Sequence, residues 1–191
     1  MKNITTTYKE IVIPELKKQF GFTNAIQVPK ITKVTLNVGV GKSLKDPNFI
    51  SMVEDSITRI AGQKPIRTKA KKSIASFKVR EGQVIGLTVT LRKQRMLDFL
   101  NKLLNVALPR VRDFRGLDIK GIDKQGNLNI GFRENLAFPE IKSDEIERTH
   151  GLEVNITTTA KSFEQGAALF TLLGFPFKKP ESKSAKGGKQ S

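Results

Sequence analysis

Ile31-Thr32-Lys33-Val34-Thr35-Leu36-Asn37-Val38 is the stretch on which the fold turns. Val34, Leu36 and Val38 fall on one side of an extended chain, and Lys33, Thr35 and Asn37 on the other. Period-two alternation of this kind predicts a strand with one apolar and one wet face. A second stretch repeats it, with Leu87, Val89 and Leu91 opposing Thr88, Thr90 and Arg92. Strands of a fully covered parallel sheet would be apolar on both sides, so the alternation favours a largely antiparallel sheet covered on one face.

Working outward, Asp46-Pro47 is a good N-cap and first-turn pair, and Phe49, Met52, Val53, Ile57 and Ile60 continue as an amphipathic helix to Gly62. Upstream, Tyr8, Ile11, Val12, Leu16 and Phe20 recur at helical spacing before Gly21. Pro14 interrupts that pattern, so the helix either kinks or starts there. Ile66 to Lys69 reads as a short strand, and Met96, Phe99, Leu100, Leu103, Leu104 and Ala107 as a helix stopped before Pro109. From Pro109 to about Gly131 the pattern weakens into a long excursion punctuated by Gly116, Gly121 and Gly126. Glu153 to Thr159 is a strand, and Ser162 with Gln165 forms a capping box that opens a last helix through Leu173. These elements give an α+β fold, a mostly antiparallel sheet covered by helices on one face. The expected organisation is one domain over residues 1–177 and a disordered basic tail over 178–191, rich in Lys, Ser and Gly.

Composition narrows the chemistry. The chain of 191 residues contains no Cys and a single His, His150, which excludes disulfides, thiol catalysis and His- or Cys-rich metal sites. Met1 to Glu10 lack the apolar run of a signal peptide, and the greasiest stretch, Leu100 to Leu108, is too short to span a bilayer. A soluble cytosolic protein is expected, with no cofactor and no metal. The net charge of +16 points to a polyanionic partner. Most of it is concentrated. Residues 63–115 carry 14 basic and 3 acidic side chains, whereas residues 116–177 carry 6 and 9. Solubility alone would not require such segregation.

Four constellations carry functional weight. Gly39-Val40-Gly41-Lys42-Ser43 follows a strand and resembles a phosphate-binding loop. The required upstream glycine is replaced by Leu36, and the following helix begins too late, at Pro47, to sit behind Lys42. A glycine turn at a strand end is the better reading, and a nucleotide-hydrolysing enzyme built on Lys42 is the rival it displaces. Lys64, Arg67, Lys69, Lys71, Lys72, Lys78 and Arg80 form an acid-free run whose self-repulsion a phosphate backbone would relieve. Within it Ile74 and Phe77 either wedge against RNA or pin the loop to the protein. The wet sheet face offers Asn37, Thr90 and Arg92, with Gln63 and Lys64 at a neighbouring edge. It is a surface for hydrogen bonding to shaped RNA or an ordinary solvent-facing sheet, and it has no aromatics for base stacking. Pro109-Arg110-Val111-Arg112-Asp113-Phe114-Arg115-Gly116 suits a phosphate-gripping or protein-docking loop, unless Asp113 simply pairs with a neighbouring arginine. His150 follows the acidic residues Asp144, Glu145 and Glu147, a charged surface helix by pattern, and no nucleophile or paired-carboxylate motif accompanies it. An anionic membrane is a poor alternative partner, because the basic residues lie in loops and strands rather than on an amphipathic helix.

Taken together these residues resemble the bacterial large-subunit ribosomal protein family number five, which carries 5S ribosomal RNA. The resemblance covers roughly residues 5–178. It rests on Gln27-Val28-Pro29, Leu36-Asn37-Val38-Gly39-Val40-Gly41, Ala61-Gly62-Gln63-Lys64-Pro65, Thr68-Lys69-Ala70-Lys71-Lys72-Ser73, Val89-Thr90-Leu91-Arg92, the Pro109–Gly116 loop, Phe138-Pro139-Glu140, Ile156-Thr157-Thr158-Thr159-Ala160 and Gly174-Phe175-Pro176-Phe177. It implies a non-enzymatic component of the cytoplasmic ribosome, not a homo-oligomer, that anchors 5S rRNA in the central protuberance beside 23S rRNA. It also implies contact with the peptidyl-site tRNA and a bridge to a protein of the small-subunit head. The rRNA-binding residues so implied are Asn37, Gln63 and Thr90, with Arg92, and the basic run adds Lys64 and Arg67 to the expected rRNA contacts. The tRNA-reaching loop matches Lys71, Lys72, Ser73, Phe77, Lys78 and Arg80, and the bridge falls among Arg110, Arg112, Arg115, Arg133 and Arg148.

Overall fold

The computed structural model describes residues 3–41, 46–141 and 149–178. Among them five strands, β1 (Ile31–Gly39), β2 (Ile66–Lys69), β3 (Val84–Leu91), β4 (Leu128–Phe132) and β5 (Leu152–Thr158), form one sheet in the order β2-β3-β1-β5-β4. Every pairing is antiparallel. The α+β architecture is therefore as the alternation implied. β1 lies at the centre, with Leu36 opposite Val89 of β3 and Val154 of β5. Val34, Leu36, Val38, Leu87, Val89, Leu91, Val154 and Ile156 are all buried on one face. There they join Leu16, Val53, Ile57, Phe99, Leu100, Leu103 and Phe170 of the helices in one core. At about 25 cal/mol per Å² of apolar surface, burial of this face supplies the main driving force for folding.

Among the described residues four helices cover that face: α1 (residues 4–20), α2 (Pro47–Ala61), α3 (residues 93–110) and α4 (Phe163–Leu172). Asp46 caps α2 by accepting from Asn48 N–H at 3.0 Å and Phe49 N–H at 3.2 Å, and Gly62 closes it in the left-handed conformation at φ 65°. Ser162 accepts from Gln165 N–H at 3.4 Å, while the Gln165 side chain reaches back to Lys161 N–H at 3.0 Å. The capping box thus closes one residue further upstream than its simplest form.

Pro14 and Pro109 lie inside helices, and each is accommodated in the same way. A single π turn, Tyr8–Val12, precedes Pro14, and another, Leu103–Ala107, precedes Pro109. Each widened turn closes through an i→i+5 bond, Ile13 N–H to Tyr8 O and Leu108 N–H to Leu103 O. The extra width leaves room for the pyrrolidine ring and shifts the hydrogen-bond ladder past the missing donor. α1 therefore neither starts nor stops at Pro14. α3 does not stop before Pro109, as the spacing suggested, but continues to Arg110.

A further correction concerns the excursion after Pro109. Its final part is the edge strand β4, whose Leu128, Ile130 and Phe132 are buried while Asn129 and Gly131 are exposed. The signal was present as Leu-Asn-Ile-Gly-Phe, but glycine in a strand interior weakens it. Gly116, at φ 102°, lets the chain pass close to the C-terminal segment. There Leu117 N–H bonds Pro176 O at 2.7 Å and Lys178 N–H bonds Leu117 O at 2.9 Å. The expected tail thus lies, apart from Lys178, outside the described residues, as do the acidic segment with Arg148 and the Lys42-Ser43 pair.

α4 is seated on the turn before β4 at glycine-only range. A Cβ built on Gly166 would lie 2.4 Å from the Gly126 Cα, with further Gly126 backbone atoms behind it. Gly166→Ala should therefore destabilise the protein by about 1–3 kcal/mol, the usual range for overpacking a fitted contact. A lowered urea midpoint with unchanged slope is expected, and an unaltered midpoint would contradict this packing.

Candidate nucleic-acid interface

The face of the sheet turned away from the helices is largely polar, apart from the exposed Ile66 at its β2 edge. The register puts Thr90, Thr35, Asn155 and Asn129 in one row across β3, β1, β5 and β4. The adjacent row runs Ile66, Thr88, Asn37, Glu153 and Gly131 across all five strands. Asn37 and Thr90 are diagonal neighbours on the same face, as their sequence alternation required. Among the described residues their side chains make no hydrogen bond, whereas the Thr88 hydroxyl is spent on Leu36 O at 3.1 Å. Free amides and hydroxyls on a flat support can exchange water for base edges and ribose hydroxyls. No aromatic side chain interrupts either row.

Other sequence-predicted residues gather around this face with differing freedom. Arg92 occupies the N-cap position of α3, extended and exposed, and forms no ion pair among the described residues. Gln63, just past the end of α2, accepts from Arg95 Nη1 at 3.2 Å, which brings a second arginine to the same corner. Lys64 is exposed, with its ammonium 3.6 Å from Glu54. Arg67 does not join them. It pairs with Leu87 and so points to the helical side, where its Nε and Nη2 donate to Glu54 Oε2 at 2.8 and 2.5 Å. Those hydrogen bonds hold the Glu54 carboxyl below its ordinary range, against the opposing effect of burial. Strand register puts Arg67 on the opposite face from Ile66 and Thr68, a distinction invisible to charge counting.

The basic run between β2 and β3 folds as a hairpin extension. Ile74 N–H bonds Val79 O at 2.9 Å, and Val79 N–H bonds Ile74 O at 3.2 Å. A tight turn, Ala75–Phe77, joins them and ends at Lys78 in the left-handed conformation. Ser73 accepts from Glu81 N–H at 2.9 Å, so its hydroxyl shapes the loop. Lys71, Lys72, Lys78 and Arg80 are exposed, and Phe77 is 72% exposed at the tip. Phe77 therefore does not pin the loop to the core, and its apolar ring is presented outward beside four cations.

Arg110, Arg112 and Arg115 are exposed where α3 ends and the chain turns, and Asp113 there adopts φ 52° and makes no ion pair among the described residues. Arg133 instead lines a groove with Lys71, Lys72, Phe77 and His150, and so keeps company with the basic hairpin. His150 is buried, and its Nδ1 lies within hydrogen-bonding distance, 3.3 Å, of the Asn135 side-chain amide. Burial pushes the imidazole below its ordinary value. Among the described residues no three His, Asp or Glu side chains converge on a metal-binding position, and no helix is long and apolar enough to cross a membrane.

Comparison with known proteins defines the class first. A model described as ribosomal protein L5 matches residues 24–80, and a second model, describing the C-terminus of the same ribosomal family, matches residues 84–177. The class is thus that of ribosomal proteins, structural and non-enzymatic. Large ribosomal subunit protein uL5 of Desulfatibacillum aliphaticivorans is 52% identical over 179 residues, covering 94% of this chain and 100% of that protein. The protein of the same name from Colwellia psychrerythraea is 49% identical, over 94% of this chain and 99% of its own length. That from Cupriavidus metallidurans is 52% identical over 171 residues, 90% and 95% of the two chains. The chain belongs to the ribosomal protein L5 family and is a structural constituent of the large ribosomal subunit, in the cytoplasmic ribosome.

The buried His150 makes stability pH-dependent with a definite sign. Its pKa is lower folded than unfolded, so the unfolded chain binds more protons as pH falls below the ordinary value of 6.5. The stability is fully present above that value and is lost as pH falls toward the folded pKa, with a slope of at most about 1.4 kcal/mol per unit. Urea unfolding between pH 7.5 and 5 should show this loss in the native chain and not in His150→Gln. Equal slopes in the two proteins would refute the assignment.

Proposed function

We propose that this large-subunit protein binds 5S rRNA through the polar face of its sheet and anchors it in the central protuberance beside 23S rRNA. The observation that carries the reading is the joint presentation of Asn37 and Thr90, unpartnered among the described residues, on one aromatic-free face. Lys64 and Arg92 border it and supply phosphate contacts, while Gln63 and Arg95 complete the corner. Amide and hydroxyl groups give hydrogen-bond selectivity, and the cations give salt-dependent attraction. Arg67 contributes by fixing α2 against β2 through Glu54.

The hairpin carrying Lys71, Lys72, Lys78, Arg80 and Phe77 contacts the peptidyl-site tRNA in this reading. Its support is a hydrogen-bonded stem with an exposed ring and cations at its end. Arg110, Arg112 and Arg115 serve the bridge to the small-subunit head protein. Arg133, which shares a groove with Lys71 and Lys72, fits the tRNA side better than the bridge.

Replacing Asn37, Gln63 and Thr90 together by Ala tests the first assignment. Each lost hydrogen bond is worth about 1 kcal/mol or more, so 5S rRNA affinity should drop roughly a hundredfold at every salt concentration. Unchanged affinity would remove the sheet face from the interface. Lys71→Gln with Lys72→Gln should weaken tRNA contact in reconstituted ribosomes while leaving 5S binding within about twofold, since these phosphate-type contacts act at a separate surface. The reverse pattern would mean that the two surfaces are exchanged.

A further inference from the structure

One residue on the polar face is out of keeping with a surface for RNA. Glu153 lies directly opposite Asn37 in the β1–β5 pairing and opposite Gly131 in the β4–β5 pairing. It is exposed, and among the described residues it has no hydrogen bond or ion pair. A carboxylate facing phosphates is repelled, and a basic protein has little reason to keep one in the middle of such a face. Its surroundings show what it can do instead. Asn37, Gly39, Asn129, Gly131, Gly151 and Glu153 line a shallow cleft. Gly39 and Gly131 have nothing within 4 Å of where a Cβ would stand, so the cleft is open at both positions.

We infer that Glu153 and Asn37 together read an unstacked guanine of the bound RNA in this cleft. The inference rests on the sheet face being the RNA-binding surface and specifies what that surface recognises. An ionised carboxylate only accepts hydrogen bonds, through two oxygens side by side. Guanine is the base whose Watson–Crick edge carries two adjacent donors, N1–H and the N2 amino group. On cytosine and adenine the amino group stands beside a ring acceptor, and on uracil the single N–H is flanked by two carbonyls. On guanine the next atom along that edge is O6, an acceptor. Residues directly opposite in an antiparallel pair have Cβ atoms about 5 Å apart, so the Asn37 amide can donate to O6 while Glu153 holds N1–H and N2–H. The two bare glycines leave space for the flat ring that a side chain would fill.

The test uses the full chain and 5S rRNA. Glu153→Gln keeps shape but substitutes a donor for one acceptor. It should weaken binding about tenfold or more at every salt concentration, as loss of charge-assisted hydrogen bonds does. If Glu153 merely repelled phosphate, the same variant would bind more tightly, and that result, or no change, overturns the inference. Gly131→Val has room to fold and should keep the native thermal melt while weakening binding by filling the cleft. Undiminished binding with a native melt also overturns it. Kethoxal, which blocks N1 and N2 of unpaired guanines, supplies the base identity. RNA modified at the recognised guanine should be excluded from the fraction bound by the native chain. Uniform representation of every adduct in that fraction overturns the guanine assignment. Failure of the native protein to bind 5S rRNA brings down both the interface and this inference. Weak binding by Asn37→Ala with native binding by Glu153→Gln brings down this inference alone.

Discussion

Everything in this molecule hangs on the register of β1. Val34, Leu36 and Val38 of this central strand are at most 1% exposed, and its two neighbours repeat the alternation in phase. A slip of one residue would carry all three into water and turn Thr35 and Asn37 into the core. The same constraint that stabilises the fold therefore also assembles the polar face. Asn37, Thr90 and Glu153 come from three separated segments of the chain and share a surface only because their apolar neighbours must share the other.

The sheet face and the basic hairpin divide two kinds of recognition between them. Hydrogen-bonding groups sit on the sheet, where their spacing is set by strand pairing. Cations sit mostly on loops and corners, where long side chains can follow a phosphate backbone. Arg67 illustrates the boundary. It belongs to the charge-rich segment, yet its guanidinium is engaged by Glu54, tying β2 to α2. The net charge of the segment is therefore only partly available to a partner.

The helices bearing Pro14 and Pro109 show how local exceptions are absorbed. Each proline is preceded by a single widened turn, and each helix thereby continues, to Phe20 and to Arg110. A proline in an apolar-periodic stretch is accordingly compatible with an unbroken helix when the preceding turn has room to expand. That expansion depends on what packs against it and is not written in the local sequence.

The sequence by itself determined the strand alternation, the helix caps at Asp46 and Ser162, the antiparallel α+β class, the concentration of charge in residues 63–115 and the place of Asn37 and Thr90 on the wet sides of their strands. These are legible because period-two and helical spacing, capping chemistry and charge are properties of near neighbours. Tertiary structure alone decided which arginine is engaged by Glu54 and that the basic run is a hairpin with Phe77 outward. It alone brought the strand Leu128–Phe132, which its glycine obscured, to the edge beside β5. It also set Glu153 across from Asn37. Each of these depends on which residues distant in the chain are paired, and strand register, not composition, decides that.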